Sequence, residues 1–177
     1  MKTSLPETRT GTALLVIDVQ KSLFEKSIPI YQAGQLLDTI CTLAERAHTV
    51  GVPVIYIQHS NDSFLLEGTD GWQLHPRLTP QENDILLRKK HGNAFEDTDL
   101  DAQLEAKNIG TLVISGLVTH GCVRATCLGA HELGYRVILV ADGHSSYHKK
   151  AAALITEWNQ KLGEVTAEVK LAAEIEF

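Results

Sequence analysis

The chain has 177 residues, a net charge of -6, 44% hydrophobic residues and 21% charged residues. That length and composition fit one folded domain over residues 1–177 with a real core, and exclude bulk disorder. The acidic balance excludes a nucleic-acid partner, since Arg88-Lys89-Lys90 and Lys149-Lys150 are too short to track phosphates, and no apolar run approaches a membrane span.

Met1 to Thr10 is polar and lacks the apolar centre of a secretory signal. Cys41, Cys122 and Cys127 are too few, and odd in number, for a disulfide framework; a reducing cytoplasm is the expected setting. Ala13 to Ile17 is a continuous apolar run, as expected of a strand covered on both faces. Leu36, Leu37, Ile40, Leu43, Ala44 and Ala47 recur at helical spacing between Ile30 and Thr49, with Gly51 and Pro53 closing the helix. Val54 to Ile57 is a second buried strand. An irregular section from Gln58 to Asn83 follows, of a length that a site or partner usually holds.

Ile85 to Leu87 reads as a third strand, and Thr98 or Asp99 as the cap of a helix reaching Lys107. Thr111 to Ser115 is the fourth strand, followed by a helix from about Cys122 to Leu133. Gly134 ends that helix, and Arg136 to Val140 is the fifth strand. A helix over Lys149 to Leu162 and a sixth strand over Val165 to Val169 complete the series. This alternation predicts a three-layer, doubly wound α/β fold: a mainly parallel six-stranded sheet with helices on both faces.

Ligands of such sheets bind outside the carboxyl ends of the strands. Asp18, His59, Lys89 and the Gly116 to Cys122 turn all follow strand ends, so one rim gathers a carboxylate, an ammonium and a thiol. A thiol attacks as thiolate. Placement at the start of a helix and a nearby Lys89 would favour the anion at Cys122, and Asp18 could take its proton and return it to a leaving amine. Arg88 and Lys90 flank Lys89, so Lys90 is the fallback for the ammonium. Cys41 and Cys127 read as core filler.

The segments Ala13-Leu14-Leu15-Val16-Ile17-Asp18-Val19-Gln20, Lys89 six residues before Phe95, Gly116-Leu117-Val118-Thr119-x-x-Cys122-Val123 with Thr126, and Gly134-Tyr135-Arg136-Val137 followed by Ala141-Asp142-Gly143 are similar to the isochorismatase-like cysteine hydrolases. The resemblance runs from about Thr12 to Trp158 with the motifs in order. It implies an Asp18–Lys89–Cys122 catalytic triad and a cis peptide between Leu117 and Val118. It also implies an oxyanion hole made by the Val118 and Cys122 N–H groups. It further implies attack of Cys122 on a small amide, ureide or lactam, and a homo-oligomer, dimer or tetramer, to which Tyr147 and Trp158 could contribute.

Trp72, in Gly71-Trp72-Gln73-Leu74-His75-Pro76, is a candidate to stack on a planar substrate or to anchor its loop. Phe95 is a candidate pocket wall, and Gln20 a candidate to orient Asp18 or bind substrate. His120 stands too near Cys122 in a tight turn to act as its base and suits a pocket wall. His59, His75 and His91 could in principle assemble a metal site, but Gln58-His59-Ser60-Asn61 lacks the carboxylate of the metal-bearing nicotinamidases. No metal or other cofactor is expected, and nicotinamide is disfavoured. Two further readings are isochorismate-type vinyl-ether hydrolysis, which needs no thiol, and a catalytically silent binding or assembly module.

Overall fold

The computed structural model describes residues 9–177; most of the polar opening segment lies outside the described residues. The apolar runs become β1 (Gly11–Ile17), β2 (Val54–His59), β3 (Ile85–Lys89), β4 (Ile109–Leu117), β5 (Arg136–Ser145) and β6 (Glu168–Lys170). They form one sheet in the order β3-β2-β1-β4-β5-β6. Every pairing is parallel. The chain winds outward from β1 in both directions, so the order reverses between β1 and β4, where a crevice opens at the carboxyl ends.

The helices are α1 (Lys21–Phe24), α2 (Ala33–Thr49), α3 (Leu100–Ala106), α4 (Arg124–Glu132) and α5 (Ala151–Val165). Alternation along β1 splits the core in two. Leu14 and Val16 pack with Leu36, Leu37, Ile40 and Leu43 of α2. Ala13, Leu15 and Ile17 pack with Leu100 and Leu104 of α3, Cys127 and Ala130 of α4, and Leu162 of α5. Each fully buried aliphatic side chain contributes about 1.5–3 kcal/mol. Among the described residues no helix is long and apolar enough to cross a membrane.

Several boundaries differ from the sequence expectation, each for a local reason. Residues Thr119–Val123 form a wide turn in which Gly121 leaves helical geometry (φ -111°, ψ -113°), so α4 starts at Arg124 and Cys122 precedes it. Asp99 precedes α3 without a side-chain capping bond; its carboxylate instead accepts from Gln103 Nε2 (2.8 Å), while Thr98 Oγ1 accepts from the Leu100 N–H (3.3 Å). Helix α5 continues through Val165, and the last strand therefore falls at Glu168–Lys170, beside Ile138 to Val140 of β5. Strand β5 extends to Ser145 through a bulge: Ile114 faces Leu139, but Gly116 faces His144. The bulge brings His144 level with the β4 exit.

Gly116 lies at the β1–β4 seam with φ 119°, and a Cβ there would overlap the Ile17 backbone. Gly116→Ala is expected to cost about 3 kcal/mol or more, read as a lower urea midpoint at unchanged slope. A midpoint equal to that of the parent chain would overturn this close approach.

Candidate active site

Strand register builds the rim. Asp18 follows the last residue of β1, and His59 and Lys89 are paired at the ends of β2 and β3. On the edge strand β3, period-2 alternation turns Ile85, Leu87 and Lys89 inward, with Leu86 and Arg88 outward. Lys89 is therefore the buried ammonium, and Lys90 is exposed. Arg88 pairs with Glu67 outside (2.5 Å).

Asp18 adopts φ 54°, a left-handed conformation that aspartate tolerates better than most residues. Its N–H donates to the Ile57 carbonyl (2.8 Å), and its own carbonyl accepts from the Gln20 N–H (2.9 Å). The reversal keeps the carboxylate at the rim. Lys89 Nζ donates to Asp18 Oδ2 at 3.0 Å, with side-chain exposures of 0% and 4%. The same ammonium reaches Cys122 Sγ (3.2 Å), the His91 carbonyl (3.1 Å) and His59 Nδ1 (3.1 Å). An ammonium has only N–H donors, so His59 Nδ1 accepts and its ring proton sits on Nε2. Burial, then Lys89, lowers the His59 pKa and keeps that ring neutral.

Burial pushes the Cys122 thiol up to about 12; Asp18 adds in the same direction and Lys89 opposes it. The expectation of a thiol lowered by the helix end and Lys89 is corrected here, because desolvation of the sulfur outweighs the nearby ammonium. Asp18 Oδ1 is buried with no partner among the described residues. The carboxylate thus has one oxygen held by Lys89 and one free to accept.

The Leu117–Val118 peptide is cis. The Val118 carbonyl accepts the N–H groups of Gly121 (3.0 Å) and Val123 (3.3 Å), which closes the turn carrying Cys122. A relay braces the same turn. Thr119 Oγ1 lies 2.8 Å from His144 Nδ1, His144 Nε2 lies 2.8 Å from Asn159 Oδ1, and Asn159 Nδ2 donates to the Ala141 carbonyl (3.1 Å). Burial lowers the His144 pKa, so its neutral ring donates from Nε2 and accepts from the Thr119 hydroxyl. No sequence signal pointed to Asn159. His144 follows the Ala141-Asp142-Gly143 segment with no partner in sequence to suggest its role.

The contacts of the three candidate substrate residues lie within the protein. Gln20 is fully buried: Nε2 donates to the carbonyls of His59 (3.0 Å) and Trp72 (2.8 Å), and Oε1 accepts the His59 N–H (2.9 Å). All its polar atoms are engaged in backbone, so it clamps β2 to the long loop. Trp72 is 6% exposed, donates through Nε1 to Ser60 Oγ (2.9 Å) and carries the Arg88 guanidinium over its ring, so it anchors the loop. The ring of Phe95 stacks on Tyr135 (5.6 Å) and packs against the α3–α4 core, as Cys122 does.

The three histidines do not assemble. His75 packs on Phe24 (4.6 Å), and the His91 ring pairs with Asp97 (3.0 Å). Asp18, His59 and Cys122 do offer donor atoms within 4.8 Å of one another. The Lys89 ammonium touches all three, so the position a cation would take carries a positive charge from the chain itself. A cleft of about 610 Å³ between α2, β5 and α5 includes His144 but none of Asp18, Lys89 or Cys122 in its walls. The Asp18–Lys89–Cys122 group lies at the rim, outside that cleft.

A buried carboxylate–ammonium pair against a thiol, at the switch point of a parallel sheet, places the chain among the doubly wound α/β folds. Comparison makes the class specific: the isochorismatase domain family matches residues 12–168, and the chain belongs to that family. It is 35% identical over 147 residues to a streptothricin hydrolase of Streptomyces noursei, covering 82% of this chain and 53% of that one. The chain thus spans about half the length of that relative. It is 25% identical over 199 residues to a ureidoacrylate amidohydrolase of Methylobacterium radiotolerans, covering 88% and 77%. The crystal structure of N-carbamoylsarcosine amidase from Thermoplasma acidophilum superposes with a TM-score of 0.83 at 27% identity, covering 95% of this chain and 100% of that one.

Two outcomes are expected. Gln20→Ala leaves the His59 N–H and carbonyl without their partner and costs about 2–4 kcal/mol. Amide exchange in residues 59–75 should accelerate more than in α2; uniform exchange would contradict the clamp. With its thiol near 12, Cys122 alkylation by iodoacetamide should rise about tenfold per pH unit from pH 7 to 9. A plateau near pH 7, reporting a resting thiolate, would refute the protonated thiol.

Proposed function

We propose that the protein is a cysteine hydrolase that cleaves a C–N bond of a small amide, ureide or lactam through a thioester at Cys122. The observation that carries this reading is the single Lys89 ammonium touching both the Asp18 carboxylate and the Cys122 sulfur. The amidase and amidohydrolase relatives support the bond type.

In the proposed course, Cys122 Sγ attacks the carbonyl carbon as its proton passes to Asp18, whose Oδ1 has no other partner among the described residues. A thiol near 12 makes that transfer part of the attack rather than a step before it. Lys89 offsets the negative charge that grows on sulfur. The carbonyl oxygen, now an oxyanion, accepts from the Val118 and Cys122 N–H groups. Collapse breaks the C–N bond, and Asp18 returns the proton to the departing amine. A water molecule then attacks the thioester, loses a proton to Asp18, and releases the acid as that proton restores the thiol. His59 stays neutral and acts as an acceptor that orients Lys89.

Cys122→Ala and Asp18→Asn are each expected to lower kcat about 10³-fold or more on any amide the parent turns over. Lys89→Met should raise the pH at which turnover is half-maximal, because the carboxylate and thiol lose their shared cation. Intact mass during turnover should show an acyl increment confined to the Cys122 peptide. Retained turnover in Cys122→Ala would overturn the thioester and favour the ether-hydrolysing reading.

A further inference from the structure

Of the four acceptors around Lys89, three are side chains of the rim and the fourth is the His91 carbonyl (3.1 Å). The His91 side chain does not fix that carbonyl, because its ring lies outside, 43% exposed and paired with Asp97. What fixes it is the segment that follows.

Gly92, Asn93 and Ala94 lie along α4. A Cβ on Gly92 would touch Ala125 (3.6 Å), and one on Gly129 would overlap the Asn93 side chain. Ala94 is fully buried with Val123, Cys127 and Ala130. Thr126, also fully buried, supplies the polar contacts in this packing. Its Oγ1 accepts the Ala94 N–H (3.1 Å), and its hydroxyl donates to the Gly92 carbonyl (3.5 Å). No other side chain of α4 bonds to this segment among the described residues. A helical threonine commonly turns its hydroxyl back on the carbonyl four residues earlier. Thr49 does so to Glu45 (2.8 Å) and Thr156 to Ala152 (3.2 Å). For Thr126 the residue four places earlier is Cys122, and the hydroxyl turns instead to the loop.

We propose that Thr126 is a positioning residue for Lys89: by holding Gly92 and Ala94 on α4, it keeps the His91 carbonyl beside the ammonium. Its bearing on turnover rests on the reading of Cys122 as nucleophile. The ammonium has three N–H donors. When the Cys122 sulfur commits an electron pair to carbon, the donor that faced it needs another acceptor, since a buried unpaired donor is costly. The His91 carbonyl is that acceptor. Without it, three donors are left with Asp18 and His59. Thr126 thus acts on the sulfur through Lys89 alone.

Iodoacetamide, which turns the Cys122 thiol into a thioether, tests this without a substrate. Thr126→Val keeps the side-chain shape and removes both bonds. Alkylation of the Cys122 peptide, followed by mass at a fixed pH, should slow about three- to tenfold in Thr126→Val. Thr126→Ser, which keeps the hydroxyl, should stay within about twofold of the parent. In a Lys89→Met background there is no ammonium to position, so adding Thr126→Val should change the rate by less than about twofold. On any amide the parent turns over, Thr126→Val should lower kcat about 10–100-fold with little change in KM. Thr126→Ala takes the place of Thr126→Val in each comparison if the valine variant does not fold. Equal slowing with and without Lys89 overturns the proposal, because the change would then be a general loosening of α4. So does a parent-like alkylation rate in Thr126→Val, or a Thr126→Ser as slow as Thr126→Val. If the Lys89-dependent slowing is found but no amide is turned over, the positioning role stands and the thioester reading falls.

Discussion

A positive charge without access to water governs the rim. Burying an isolated ammonium is prohibitively costly, and Lys89 persists because acceptors surround it. It faces four, the Asp18 carboxylate, the Cys122 sulfur, the His59 ring and the His91 carbonyl, with three N–H donors to serve them. That mismatch has chemical meaning. Any one acceptor can lose its bond to the ammonium without stranding a donor, so sulfur and carboxylate can exchange negative charge around a fixed cation. Four separate parts of the sheet exit deliver these groups, which is why the site needs β1, β2, β3 and the turn after β4 in register.

Around that group the backbone is held by side chains whose polar atoms are spent on main chain. Gln20 closes on His59 and Trp72, and Gln58 donates to the same Trp72 carbonyl (3.1 Å). Residues beside Asp18 also pair with the loop: the Lys21 N–H donates to Gln73 and the His75 N–H to Val19. A long irregular segment thereby gains the order of an added strand without becoming one. Its residues serve the rim by fixing where β1 and β2 end.

Much of this was legible in the chain, and the failures have a pattern. Continuous apolar runs gave the central strands and the parallel sheet, because burial on both faces leaves a mark in composition. Asp18 stood out as a polar residue directly after such a run, and Cys122 by the turn that precedes it. Lys89 could not be told from Lys90 until β3 was known to extend to Lys89, since its inward face is decided by strand parity. The partners of Gln20 could not be read, and Trp72 stood between a ligand contact and a loop anchor, because a buried polar or aromatic residue near a site has the same local signature whether it faces ligand or backbone. The thiol's elevated pKa was also hidden: charges can be read from sequence, but desolvation depends on how chain segments close around an atom.

The brace behind Cys122 also bears on the order in which the molecule is made. Thr119 leans on His144, and His144 on Asn159, a residue of the last long helix. A chain emerging from the ribosome presents its thiol before that helix exists, and until then the turn lacks its outer brace. The full setting of Cys122 is thereby tied to near-completion of synthesis. A partly made chain carries the sulfur but not the whole arrangement around it.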